Sequence, residues 1–271
     1  IMMRNINRRK ESAIMSRFRT DLLNAGIPSD ISVPHKENMM CLNESTMDPY
    51  QSIDEALNQY LHHLPLNRYF NDVTSELKKE LLNYVGHNVK SDGLLWGNGA
   101  DDILYSVFLA ARENNDSYAL TLAPSYFDYP TFCRAVGLGT KFIDFTPDFD
   151  FDEKAYVEEA NKPDCTLAIL CNPNNPTGHL LPEEKIRYII EHTDKPVLLD
   201  ETYFEFSGVT LAADLEKYPH LLIVRSFSKA FSAAKCLNSL SFPSCLTRHG
   251  SELSQKPMPN FMFGTALTKA S

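Results

Sequence analysis

An α/β fold, a doubly wound sheet of mostly parallel strands, is what this sequence predicts, and three observations predict it. Short apolar runs recur at 94–96, 118–123, 141–145, 167–171, 196–199 and 221–224. Each run is nearly continuous rather than alternating and is bounded by turn residues, the pattern of a parallel strand buried on both faces. Stretches of helical spacing lie between several of them, at 101–112, 126–136, 153–160 and 182–192. Strand–helix–strand repetition is how a parallel sheet is wound. In such a sheet the loops at the carboxyl ends of strands meet helix N-termini, so the chemistry is expected there.

Upstream of the first run, 52–60 and 72–85 read as helices. Val73, Leu77, Leu81 and Val85 stand four apart and therefore share one helix face. Between the two helices, Pro65-Leu66-Asn67-Arg68-Tyr69-Phe70 reads as a turn. Residues 236–271 are rich in Ser, Pro and Thr and carry no convincing periodicity, a weak strand at 237–242 apart. The organisation expected is an N-terminal arm with a small-domain segment at 1–46, a large domain at 47–235, and an atypical tail at 236–271.

Composition narrows the function. With 43% hydrophobic and 23% charged residues over 271 positions, the chain has globular chemistry and can bury a large core. Its net charge of −9 opposes nucleic acid or an anionic membrane as partner. A phosphorylated ligand would need a local pocket instead. The six cysteines are scattered, with no CxxC pair and no histidine cluster, so no metal site is expected and reduced thiols in the cytoplasm are. No stretch is long and apolar enough to span a bilayer. The basic residues at 1–19 precede no apolar core and read as an arm rather than a secretory signal.

Three motifs carry chemistry. Cys171-Asn172-Pro173-Asn174-Asn175-Pro176-Thr177-Gly178 closes an apolar run, and its prolines stiffen the turn by fixing their own φ and restricting the residue before. Alone it could be an ordinary strand-to-helix loop. Leu198-Leu199-Asp200-Glu201-Thr202-Tyr203 puts a carboxylate at the carboxyl end of a strand, where burial is costly without a cation. Ser226-Phe227-Ser228-Lys229-Ala230-Phe231 sets two hydroxyls beside a lysine, again just past a strand. A lysine amine that attacks a carbonyl must be partly deprotonated, which desolvation favours.

In order and spacing the three motifs resemble those of class I/II pyridoxal-phosphate aminotransferases, and within them the histidinol-phosphate aminotransferase branch. The resemblance runs from about Cys41 to about Ala234. Leu42-Asn43-Glu44-Ser45, Asn67-Arg68-Tyr69, Gly97-Asn98-Gly99-Ala100-Asp101-Asp102 and Pro124-Ser125-Tyr126 are similar to further segments of that family. What it implies is a fold-type I large domain with an incomplete small domain, pyridoxal 5′-phosphate as cofactor, and a homodimer. It implies that Lys229 forms the Schiff base with the cofactor and that Asp200 keeps the pyridine nitrogen protonated. Asn175 and Tyr203 would hydrogen-bond the ring hydroxyl, and Tyr126 would stack on the ring. Gly99, Ala100, Asp101, Ser226 and Ser228 would hold the phosphate, helped by Tyr69 from a partner subunit. A helix N-terminus after Gly99 is itself an anion site on physical grounds.

The sequence departs from the family in two places. Eight residues beyond the lysine, where the family has a phosphate-binding arginine, stands Leu237, with only Lys235 nearby. In the sequence given the sole arginine beyond Lys229 is Arg248, so the small domain whose arginine takes the substrate carboxylate is expected to be incomplete. The expectation is therefore a shortened or frame-altered aminotransferase, foreign to the fold from about Lys235. Its substrates would be an amino acid or amino-alcohol phosphate and 2-oxoglutarate. A phospho-amino-acid decarboxylase of the threonine-phosphate type, and a catalytically impaired product that keeps the fold, stand as alternatives.

Overall fold

Among the described residues seven strands, every neighbouring pair parallel, form one sheet in the order β1-β7-β6-β5-β4-β2-β3. They are β1 (Leu94–Gly97), β2 (Tyr118–Ala123), β3 (Gly139–Asp144), β4 (Cys165–Cys171), β5 (Val197–Asp200), β6 (Leu221–Ser226) and β7 (Phe261–Gly264). The computed structural model describes residues 42–47, 50–63, 73–87, 89–232 and 261–264. Contacts divide the chain at Met39/Met40, and all of the described residues belong to the second unit.

The unbroken apolar runs are explained by burial on both faces. Along β4 every residue is buried. Ala168 and Leu170 enter one core cluster while Leu167, Ile169 and Cys171 enter the other, the alternation that a strand's two-residue period demands. β5 and β6 divide in the same way, with Leu199 and Ile223 on one face and Leu198 and Val224 on the other. Each such side chain contributes about 1.5–3 kcal/mol on leaving water.

Helices cover both faces. α1 (Tyr50–His63) and α2 (Val73–Val85) precede the sheet. α3 (Gly99–Ala111) and α4 (Tyr129–Val136) supply Ile103, Leu104, Val107, Phe108 and Cys133 to one cluster. α5 (Glu153–Ala160) and α6 (Glu183–His192) supply Tyr156, Ile186 and Ile189 to the other, which also takes Leu77, Leu81 and Val85 from α2. Local chemistry sets their ends. Asp152 caps α5 by accepting from Lys154 N at 2.9 Å and Ala155 N at 3.0 Å. Gly137 ends α4 at φ 80°, the left-handed conformation that glycine adopts without strain.

Three expectations are corrected. The run at 141–145 lies in β3, a sheet edge that is not buried, with Phe142 49% exposed, because only one neighbour covers it. The helical stretch at 126–136 starts only at Tyr129, since 126–128 form the turn out of β2. The tail, expected to hold no convincing strand, supplies β7, which pairs with β1 and with β6. Four residues paired on both sides need no periodicity of their own to be held. The weak strand at 237–242 lies outside the described residues. A short helix that the sequence did not announce, α7 (Phe204–Ser207), follows β5.

The chain order places the site. β3 lies outward of β2, and β4 then returns to pair with the other side of β2, so the winding reverses between β2 and β4. Ligands of such sheets bind beyond the carboxyl ends of the strands at that reversal.

Candidate active site

Asp200 is the last residue of β5, paired in register between Cys171 of β4 and Val224 of β6. It is 3% exposed. Its Oδ2 accepts from the Tyr129 hydroxyl at 2.6 Å, and its Oδ1 from the Thr202 N–H at 3.0 Å. Both donors are neutral. Burial pushes this carboxyl above the usual range, and the Tyr129 and Thr202 bonds pull it part of the way back.

Lys229 stands three residues beyond β6, half-buried, with its Nζ donating to the Leu42 carbonyl at 2.8 Å. Burial pushes its amine below the ordinary lysine value, against the pull of the Asp101 and Glu44 carboxylates. The neutral, nucleophilic form is thereby more accessible than in a surface lysine. The hydroxyl of Tyr203 accepts from Asn43 Nδ2 at 2.9 Å, so residues 42 and 43 touch two site residues.

The other strand ends converge here. β1 runs through Gly97 into α3. A Cβ on Gly97 would lie 2.6 Å from Asp102 Oδ2 and 2.8 Å from Ile103 Cδ1, so any larger residue here must displace those two side-chain ends. Asp102 Oδ2 accepts the Asn98 N–H at 2.8 Å and Gly99 takes a φ of +81°. Gly99, Ala100 and Asp101 then form the first turn of a 13-residue helix, whose N–H groups and dipole favour an anion. From the end of β2, Tyr126 donates its hydroxyl to Asp101 Oδ1 at 3.1 Å, and its ring meets that of Tyr129 edge-on at 5.3 Å. Ser226, buried at the end of β6, accepts the Ser228 N–H at 3.2 Å.

The proline-rich loop after β4 is stitched to the loop after β2. Asn174 Nδ2 donates to the Pro124 carbonyl at 3.0 Å and to Thr177 Oγ1 at 2.7 Å, while its Oδ1 accepts from Ser125 Oγ at 3.0 Å. Asn172 Oδ1 accepts the Leu181 N–H at 2.9 Å. These two asparagines are turned inward and hold the loop, and half-buried Asn175 stands beside them. Tyr69 lies outside the described residues, as do Lys235, Leu237 and Arg248.

Sequence reasoning passed over several residues of this edge. Tyr129 reads there as one more helix position. Glu201 and Arg225 form a buried ion pair, Nε to Oε2 at 2.9 Å, and Thr210 bonds both partners. An arginine inside an apolar run was the available signal, because a buried guanidinium requires a carboxylate.

The chain is similar to known proteins in sequence and in fold. A family model described as aminotransferase class I and II matches residues 37–236. A histidinol-phosphate aminotransferase of Caldanaerobacter subterraneus subsp. tengcongensis is 30% identical over 203 residues, covering 75% of this chain and 57% of the relative. The chain thus spans little more than half the length of that relative. The crystal structure of the histidinol-phosphate aminotransferase from Clostridium acetobutylicum superposes with a TM-score of 0.57 at 25% identity, over 69% of this chain and 53% of that one. The L-threonine-O-3-phosphate decarboxylase from Porphyromonas gingivalis shares the fold, with a TM-score of 0.55 at 23% identity over 75% and 67% of the two chains. With the family model matching well over half of its residues, the chain belongs to the class I and II aminotransferases.

Proposed function

We propose that this chain is the cofactor-binding part of a pyridoxal-phosphate aminotransferase of the histidinol-phosphate type. It would transfer an amino group between an amino acid or amino-alcohol phosphate and 2-oxoglutarate, as a cytoplasmic homodimer. The observation that carries the reading is a buried carboxylate, Asp200, that ends β5, together with a half-buried lysine, Lys229, three residues past the neighbouring β6.

The residues suit the cofactor. Asp200 is an acceptor-only group out of water with only neutral donors on it, a costly state that a protonated pyridine nitrogen would relieve. Bound pyridoxal phosphate supplies an electron sink for the bonds at the substrate Cα. Asp200 would hold the proton on the ring nitrogen. Lys229 would hold the cofactor through its Nζ and would move a proton at the substrate Cα. Tyr203 and Asn175 would bond the ring hydroxyl, and Tyr126 would cover the ring. The phosphate would rest on the backbone of Gly99, Ala100 and Asp101 and on Ser226 and Ser228, with Tyr69 reaching in from a second subunit. Leu42 and Asn43 hydrogen-bond the lysine and Tyr203 and would help to orient them.

The test is to add pyridoxal phosphate, reduce with borohydride and map the labelled peptide. The label is expected on Lys229 and absent from Lys229→Ala. A label on another lysine, or none, refutes the proposal. Adding histidinol phosphate with 2-oxoglutarate should then consume the keto acid. Release of carbon dioxide from a phospho-amino acid, without consumption of 2-oxoglutarate, would assign the decarboxylase chemistry instead.

A further inference from the structure

Tyr129 is the first residue of α4, 0% exposed, and carries a hydroxyl deep in an otherwise apolar cluster. Its ring stands edge-on to Phe108 at 6.2 Å and to Tyr126 at 5.3 Å, so close packing leaves it one orientation. That orientation aims the hydroxyl at Asp200 Oδ2, 2.6 Å away, a charge-assisted length. Burial and the facing Asp200 carboxylate push the phenol well above its ordinary value, so it remains a donor.

We propose that Tyr129 is a positioning residue, whose hydroxyl holds the Asp200 carboxylate in the orientation that pairs with the cofactor's protonated ring nitrogen. The inference rests on the functional reading above and adds to it a residue outside the cofactor set. A carboxylate offers about four acceptor sites. Tyr129 occupies one on Oδ2 and Thr202 N–H one on Oδ1, which stops rotation and leaves one lone pair on each oxygen for the ring. Without the hydroxyl, Asp200 is held from one side only, in a site where burial already disfavours its charge. The ring nitrogen would then lose its proton more readily. Because Tyr126 meets the Tyr129 ring edge-on, the same side chain also links Tyr126 to Asp200.

The experiment uses pyridoxal phosphate labelled with ¹⁵N in the ring, bound to the wild-type chain, to Tyr129→Phe and to Tyr156→Phe. Tyr156 is the control. It is equally buried, but its hydroxyl bonds the backbone of Leu120 and Ile169 in the other core cluster. In Tyr129→Phe the ¹⁵N shift should move toward the unprotonated value, and the cofactor's Kd should rise about tenfold, the worth of one hydrogen bond to a charge. In Tyr156→Phe the melting temperature should fall while the ¹⁵N shift stays put. In an Asp200→Asn background, Tyr129→Phe should change Kd less than about twofold, because the partner is gone. A wild-type ¹⁵N shift in Tyr129→Phe overturns the inference, and so does an equal displacement in Tyr156→Phe. Failure of the wild-type chain to take up the cofactor overturns the functional reading and the inference with it. A null effect of Tyr129→Phe in a chain that does bind overturns the inference alone.

Discussion

Replacing Glu201 by glutamine should unfold this protein far more readily than any neutral change nearby. Glu201 is 0% and Arg225 2% exposed at the side chain, with Arg225 Nη2 2.9 Å from Glu201 Oε2. The carboxylate also accepts from Thr210 Oγ1 at 2.9 and 2.8 Å and from Leu211 N at 3.1 Å, and the guanidinium lies 3.4 Å from the Phe204 ring centroid. Glutamine keeps the volume and removes the negative charge that faces the buried Arg225 guanidinium. Breaking a buried pair from one side costs about 3–5 kcal/mol. Thr210→Val, which deletes a neutral hydroxyl from the same network, should cost about 1–2 kcal/mol. With a urea slope of about 3 kcal/mol per M, Glu201→Gln lowers the unfolding midpoint by about 1–1.7 M. The double change Glu201→Leu with Arg225→Met removes both charges and should recover most of that loss, since apolar replacement of a buried pair is often neutral. Urea titration followed by circular dichroism measures all four proteins. A loss below about 1 kcal/mol in Glu201→Gln would refute the reasoning. So would a double variant as unstable as Glu201→Gln.

Two further outcomes follow from the same geometry. Gly97→Ala sets a methyl 2.6 Å from Asp102 Oδ2, which is itself held by the Asn98 N–H. A cost of about 1–2 kcal/mol should lower the melting temperature by about 2–8 °C, and an unchanged melt would show that the turn gives way freely. Hydrogen bonds from Lys141, then Lys162, hold the Glu159 carboxyl at about 2, down from an ordinary 4.5. A depressed carboxylate stabilises the fold above its unfolded value and loses that contribution as pH falls through its folded value, so the window is pH 4.5 down to 2. Both lysines are about half exposed, which limits the pair to about 1 kcal/mol. Glu159→Gln should flatten the acid limb of the stability curve by that amount, and superimposable limbs would remove Glu159 from the account.

Much of this protein was legible in its residues because burial and turn chemistry are local signals. The run at 118–123 is β2 residue for residue, and 167–171 and 221–224 differ from β4 and β6 only at the ends, since strands buried on both faces need apolar side chains throughout. Asp200 was found the same way, as a carboxylate where an apolar run stops. Other features carried no local mark. β3 is as apolar in places as its neighbours, yet which strand lies at the edge depends on how the chain winds back. β7 is four residues in a segment without pattern, and its place comes from the strands on either side.

What the sequence by itself determined is the alternation of strands and helices, the turns that end each strand, and the residue types of a cofactor site, all set by interactions within a few positions along the chain. Only the tertiary structure decided which of those residues meet. Tyr129 lies 71 positions from Asp200 and Leu42 lies 187 from Lys229, and no spacing in the chain encodes either contact. The reason is physical: a sheet brings strand ends together in an order set by its winding, and a hydrogen bond depends on distance in space, not along the chain.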